Sequence, residues 1–348
     1  MWKFLESEMK VIYALSEDAY RTDAVIADLF GLKKGTVASI RRRLLDAGAM
    51  FYANVPAFHK LGCEMLGIHI GTTEPSERMD AKSNDYMEFC NEAPQIFEGL
   101  IGGNSVVLFT AFRNATEYDS FIQSHNRFFT GTRRSSKARL KSTVFPFALS
   151  RGLYVPSFAP VVRRFFELDV PPPKEKALVP VTVENPSLSE TEKRTLIALV
   201  ENPMASDREI ATKVKLSRQA VTRIRNKLED DRMISKVCVP RLYKWGFEIF
   251  AIAHAWFNME LSWEKRLSTQ PSRVVNSSFY FISKPDESIA SYLVSKYSEY
   301  SDSLDEVMAW YHKHSAFDEK PEVTLFPLER SVELRTFDYG PAVRHLLS

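Results

Sequence analysis

The chain has 348 residues, 45% of them hydrophobic and 12% aromatic, which is enough apolar material for more than one core and excludes wholesale disorder. Its 46 basic and 44 acidic residues leave a formal charge of +2, so no nucleic-acid partner follows from totals and the local distribution of charge has to decide. Cys63, Cys90 and Cys238 lie far apart and in no metal-ligand spacing, which points to buried free thiols in a reducing cytoplasm rather than a disulfide framework. The opening MWKFLESEMK lacks the apolar run of a signal peptide, and no stretch approaches the roughly 20 apolar residues that span a bilayer, so no membrane partner is expected.

In chain order, residues 5–15, 22–30 and 33–47 read as three short helices and 50–55 as a wing strand, the pattern of a winged helix-turn-helix. A strand over 65–70, a helix over 79–90, strands over 96–101 and 105–112, a helix over 116–128 and a strand over 138–147 follow. That β-α-β-β-α-β order is the ferredoxin-like unit. Five prolines between 171 and 187 make a semi-rigid connection.

A second helix-turn-helix then begins. Ser189 with Glu192, and Ser206 with Glu209, have the S-x-x-E form of capping boxes, in which side chains satisfy the orphan N–H groups of a helix start. Ile210, Ala211 and Val214 share one face of the first helix of the motif. Ser217 caps the next helix, whose Val221, Ile224 and Leu228 point inward. Residues 234–237 form its wing. Beyond it, 247–257, 279–283 and 323–328 read as strands and 289–312 as the longest helix, while 263–278 shows no clear pattern.

Self-comparison ties the halves together. Leu15, Ile26, Ala27, Leu32, Val37, Ile40, Arg41, Leu44, Val55, Pro56 and Gly62 match Leu199, Ile210, Ala211, Leu216, Val221, Ile224, Arg225, Leu228, Val239, Pro240 and Gly246, all 184 positions apart. Near the end of each half, Thr143-Val144-Phe145-Pro146 parallels Thr324-Leu325-Phe326-Pro327 at an offset of 181. The chain is therefore expected to be a tandem duplication of class α+β, with two winged helix-turn-helix domains (1–55 and 188–239), each followed by a ferredoxin-like domain (56–169 and 240–348), and a linker over 170–187.

The run L-S-E-x-E-K, then E-I-A, then L-S-R-Q-A-V-T-R-I-R-N-K-L, with P-x-x-Y-K-W-G-F-E before an apolar strand, resembles the Lrp/AsnC family of prokaryotic transcriptional regulators. Residues 188–258 carry the resemblance best and 5–70 carry a weaker copy. It implies DNA binding, a ferredoxin-like domain that dimerises through its sheet, and sensing of a small molecule. The family's turn before the third strand corresponds to Gly102, Gly103 and Asn104, the candidate effector-binding residues, although the Tyr-Asp pair usual there is missing.

From Lys213 to Lys227 there are six basic residues and no acidic one. On the second recognition helix Arg218, Gln219, Thr222 and Arg223 are placed to reach base edges. Arg can pair with G and Gln with A in the major groove. Lys213, Lys215, Arg225 and Lys227 are expected at phosphates, with Ser217 and Asn226 on the same face. The matching helix offers Lys33, Lys34, Thr36, Ser39, Arg42 and Arg43, a basic set poor in base readers, with Gly35 and Ala38 between them. It is expected to grip phosphates and position the protein without specifying sequence. A second basic cluster, Arg127, Arg133, Arg134, Lys137, Arg139 and Lys141, could face an anion.

His69 and His254 are expected on opposite faces of their sheets, and no histidine pair has metal spacing. No cofactor is expected, since Gly-rich phosphate loops and catalytic elbows are absent. The function read from these features is a sequence-specific DNA-binding transcriptional regulator acting as an intramolecular pseudo-dimer, not an enzyme. Its partners would be double-stranded DNA, a small-molecule effector and a second copy of the chain. The alternatives are a tetrapyrrole enzyme like the sirohaem decarboxylases, whose short Arg-Arg-x-Gly-Ala-like wing is missing here, and an assembly module that does not touch DNA.

Overall fold

Local signals set the helix ends. In the computed structural model, which describes residues 3–72, 83–131, 140–173, 178, 181–185, 187–263, 265, 278–314 and 319–348, α2 (Asp23–Phe30) starts at Thr22, whose Oγ1 accepts from Val25 N–H at 3.3 Å. It stops at Gly31, which adopts φ +63°, a left-handed cap that only glycine takes without strain. α7 (Glu190–Glu201) and α8 (Asp207–Val214) both carry reciprocal capping boxes, Ser189 with Glu192 and Ser206 with Glu209. Ser217 Oγ caps α9 (Arg218–Asp230) by accepting from Ala220 N–H at 3.2 Å.

The chain divides into two units, each assembled from three separate stretches: 1–53, 151–179 and 236–329 in the first, and 54–150, 180–235 and 330–348 in the second. The first unit holds α1 (Glu6–Glu17), α2 and α3 (Lys34–Asp46). Its antiparallel sheet has the order β11-β8-β10-β9-β6, from β8 (Ile249–Trp256), β9 (Ser278–Ser283), β10 (Glu287–Val294), β11 (Glu322–Pro327) and the short β6 (Arg151–Gly152). Helix α6 (Ala159–Phe165) packs on α1 of the same unit. Beside it, Phe4 sits edge-on to Phe166 and Trp245, and Trp245 donates its indole N–H to Ala49 O at 2.7 Å.

The second unit holds α7, α8 and α9 and a sheet of order β12-β3-β4-β2-β5, from β2 (Met65–Thr72), β3 (Ile96–Gly102), β4 (Ser105–Phe112), β5 (Leu140–Pro146) and β12 (Ser331–Arg335). The order β5-β2-β4-β3 is the ferredoxin-like arrangement, to which β12 adds an edge strand. Helices α4 (Ser83–Glu92) and α5 (Ala115–Gly131) contribute Tyr86, Cys90 and Phe121 to the core over that sheet, where Phe112, Leu108 and Ile96 are fully enclosed. The buried guanidinium of Arg335 explains why β12 docks here. It donates to the carbonyls of Ala93 at 3.1 Å and Asn91 at 2.7 Å, and to that of Ile96, so one side chain satisfies the C-terminal end of α4.

Thus the segment that follows each ferredoxin-like strand set, 151–179 or 330–348, belongs to the unit containing the other sheet, a non-local exchange that periodicity cannot announce. The strands after the recognition helices, β1 (Met50–Pro56) and β7 (Ile234–Pro240), form a two-stranded sheet instead of separate hairpin wings.

One expected element is corrected. Residues 289–294, expected to open a long helix, are β10, which pairs along its whole length with β8. Ile289, Ala290, Leu293 and Val294 are all buried, so both faces of the strand are apolar and the period-2 alternation is erased. The helix is shorter, α10 (Tyr297–His314). The unassigned interval 263–278 falls almost wholly outside the described residues, as do residues 79–82 and 138–139 of two expected elements.

Candidate nucleic-acid interface

Helices α8 and α9 cross through a small apolar core: Ile210 and Val221 are fully enclosed, with Leu228 behind them. The turn between them closes because Lys215 adopts φ +56°, which lets Leu216 N–H reach Ala211 O. With Val221, Ile224 and Leu228 inward, geometry at 100° per residue turns Arg218, Gln219, Arg223, Asn226 and Lys227 outward, and all five are exposed. They line an open groove of about 750 Å³ together with Thr222, Asp230 and Asp231.

The three helices are anchored within their own unit. At the end of α9, Lys60 donates to Asp231 O at 2.8 Å; on α7, Asn54 donates to Leu199 O at 2.7 Å and Arg344 forms an ion pair with Glu201.

Several of the sequence-predicted contacts have other partners, Lys213 among them, whose Nζ donates to Asn202 Oδ1 at 2.5 Å. Arg225 Nε donates to Asp207 Oδ1 at 2.7 Å, and Thr222 Oγ1 donates to Asp207 Oδ2 at 2.6 Å, so one carboxylate of α8 clamps α9 at two points. Burial works against the charged Asp207, but the hydrogen bonds from Thr222 and Arg225 outweigh it and hold its pKa below the usual value. Arg225, half-buried, is thereby turned from the groove, and the Thr222 hydroxyl is committed to Asp207. Lys227 Nζ sits 2.6 Å from Glu192 Oε1 while staying 51% exposed. Hydrogen bonds from Lys227 and from Ser189 bring the Glu192 pKa down to about 2.

The same clamps recur in the first unit. Arg41 binds Asp23 at 2.8 Å and Arg43 binds Glu8 at 2.5 Å. Each of these four residues stands 184 positions before its counterpart, Arg225, Asp207, Lys227 or Glu192. The acidic partners were missed from sequence, yet their recurrence at that offset was available as a signal. On α3, Lys34, Thr36, Ser39, Arg42 and Arg43 are exposed, with Lys33 at the N-cap and Gly35 and Ala38 between them. The face is basic but short of side chains that could read a base.

Replacing Asp207 with Ala removes both clamps and leaves a half-buried guanidinium without its carboxylate. A loss of about 1–3 kcal/mol is expected for the α8–α9 pair, from the cost of unsatisfied polar groups. Thermal denaturation checks it, and an unchanged midpoint would show that the clamp contributes nothing.

Gly102, Gly103 and Asn104 lie at the β3–β4 hairpin, where Gly102 pairs with Ser105 and Gly103 takes φ +60°. Their role in the structure is the two-residue turn itself, which requires a residue tolerant of positive φ. Of the second basic cluster, Arg133, Arg134, Lys137 and Arg139 lie outside the described residues.

Histidines are placed apart from the groove. His69 is buried on the helix side of its sheet between Ser142 Oγ and Thr110 Oγ1, both at 2.8 Å. His254 is on the face of β8 opposite Ala255 and Phe257, which pack toward Tyr311, and binds Glu287 at 2.9 Å. Among the described residues no group of three metal-ligating side chains occurs and no helix is long and apolar enough to cross a membrane.

Residues 188–235 match the winged helix-turn-helix DNA-binding family. No curated protein sequence matches the chain. Among solved structures, the siroheme decarboxylase NirDL is similar over 98% of this chain and 98% of its own, at 13% identity and a TM-score of 0.50. Its co-complex with an iron-uroporphyrin III analogue is similar at 12% identity and the same score, over 98% and 99%. The leucine response regulatory protein LrpA of Mycobacterium tuberculosis covers 41% of this chain and 92% of its own, at 20% identity and a TM-score of 0.31.

The α+β architecture of winged helix-turn-helix and ferredoxin-like domains is thus shared with a full-length relative in fold. The expectation that the chain is not an enzyme is corrected by that match, because the fold spanning 98% of it is also the fold of a decarboxylase.

Proposed function

We propose that this chain is a sequence-specific DNA-binding regulator, a tandem duplication whose two helix-turn-helix units divide the work. The observation that carries the reading is the exposed row Arg218, Gln219, Arg223 and Asn226 along α9, inside the stretch that matches the winged helix-turn-helix family. An exposed helix of that chemistry, held across a partner helix, suits the major groove. The paired clamps at the 184-residue offset support the duplication. The basic, reader-poor α3 would add phosphate contacts, giving an asymmetric contact and a site without palindromic symmetry.

Fluorescence anisotropy with labelled duplexes tests this. Binding should weaken steeply between about 50 and 200 mM salt, because every phosphate neutralised releases counterions. Equal affinity for a duplex selected from a random-sequence pool and for poly(dI-dC) would contradict sequence reading.

A second reading, a tetrapyrrole enzyme, rests on the full-length fold similarity to NirDL. Neither the groove on α9 nor the smaller one of about 310 Å³ beside α5 is lined by a histidine or cysteine that could face a tetrapyrrole iron. A shift of the visible absorbance band on adding sirohaem would favour this reading nonetheless.

A further inference from the structure

In each helix-turn-helix one carboxylate serves two partners at once. Glu192 belongs to the capping box of α7: its Oε2 accepts from Ser189 N–H and Ser189 Oγ, both at 2.8 Å, while its Oε1 lies 2.6 Å from Lys227 Nζ on α9. Glu8 repeats this at the start of α1. Its Oε2 accepts from Leu5 N–H at 2.8 Å, and its Oε1 lies 2.5 Å from Arg43 Nη2 on α3. Cap, acid and cation all correspond across the 184-residue offset.

In both places the acid is the enclosed partner and the cation the exposed one. The side chains of Glu8 and Glu192 are 3% and 15% exposed, whereas those of Arg43 and Lys227 are both 51% exposed. Each carboxylate is fixed by its cap and so fixes the cation in turn. An ammonium carries three N–H donors and a guanidinium five. Neither Lys227 nor Arg43 makes a hydrogen bond to any other side chain or backbone group among the described residues. Lys227 also borders the groove lined by Arg218, Gln219, Arg223 and Asn226.

Stability does not account for the recurrence. An ion pair with a half-exposed partner contributes little to folding, and α9 is already fastened to α8 by Asp207. A long basic side chain, by contrast, loses rotamer freedom when it settles on a phosphate. A carboxylate that already holds the side chain in one place removes part of that cost.

We propose that Glu192 is a positioning residue for DNA binding, holding Lys227 at the rim of the α9 groove with its remaining donors available to a backbone phosphate, and that Glu8 does the same for Arg43 on α3. Resting on the DNA-binding reading, this gives an acid a favourable part in binding an anion. Charge alone predicts the reverse, since a carboxylate beside the groove repels DNA.

The test is a double-mutant cycle in the full chain, Glu192→Gln against Lys227→Met. Gln serves a capping box as Glu does, so the start of α7 is kept while the charge is removed. Anisotropy is read at about 100 mM salt on a duplex selected from a random-sequence pool and on poly(dI-dC). Glu192→Gln should weaken binding by about three- to tenfold, the size of the cost of fixing one long side chain. Both probes should lose alike, because a phosphate contact carries no sequence information. In the Lys227→Met background the same change should no longer weaken binding. Tighter binding by the single variant overturns the proposal, showing that the acid only repels DNA. Unchanged binding overturns it as well, leaving Glu192 a brace between helices, and so does an equal loss with and without Lys227. Failure of the unaltered protein to hold either probe refutes the DNA-binding reading itself and the proposal with it. Should thermal denaturation show that Glu192→Gln does not fold, Glu8→Gln against Arg43→Met carries the same cycle in the first unit.

Discussion

Replacing Arg218 and Arg223 with Ala should lower affinity for a selected duplex by at least about 30-fold, since two lost bidentate base contacts are worth about 1–3 kcal/mol each. Binding to poly(dI-dC) should fall much less, so the ratio between the probes collapses. The same change at Arg42 and Arg43 should act differently. Both are exposed on α3, but Arg43 is partly engaged by Glu8, so Arg42 carries the larger share of phosphate contact. Their loss should weaken both probes alike and reduce the slope of log affinity against log salt by about 1–2, near 0.9 per phosphate released. Anisotropy titrations across a salt series separate the two patterns. Equal loss of discrimination in both variants would eliminate the division of labour between α9 and α3.

The helix-turn-helix was legible because its determinants are short-range. A cap at Ser206 or Ser217, a left-handed turn after Val214 and inward residues at three- and four-residue spacing act within a few residues of one another. The reading face followed as its complement. The commitments of Thr222 and Arg225 did not, because outward placement on a helical wheel says nothing of an acid on the neighbouring helix. Residues 289–294 were misread for the opposite reason: Ile289 and Leu293 are four apart, as on a helix face, and a strand buried on both sides offers no alternation to contradict it.

The exchanged terminal segments were the least legible feature. Arg335 sits at β12, more than 230 residues from the carbonyls it binds, and in sequence it is one arginine among many. Which sheet β6 and β12 join is decided by side chains such as Arg335, and by the close approach at Gly152, where a Cβ would lie 2.7 Å from Phe281 O. Helices α7–α9 are held by residues 54–60 of their own unit, through Asn54, the Ala57 N–H and Lys60.

The second unit should lose stability as pH falls from about 6.5. His69 and His125 are both buried in its core, and burial brings each imidazole pKa down to about 3, with repulsion from His125 adding to the effect on His69. His69 lies against Phe112, Tyr118 and Phe121, and His125 against Tyr86 and Phe89. The folded pKa is depressed below the unfolded value near 6.5, so above 6.5 both states are neutral and the full stability is present. Below it only the unfolded chain takes up the proton, and stability falls until pH approaches 3. At pH 5 the loss amounts to about 2 kcal/mol for each histidine, at about 1.4 kcal/mol per pH unit. Urea denaturation at pH 7.5 and pH 5, followed by hydrogen exchange of β2 and β4, reads this. In a His69→Gln, His125→Gln variant, less stable at neutral pH, most of the drop between the two pH values should vanish. An identical drop in variant and unaltered protein would assign the acid sensitivity to other groups.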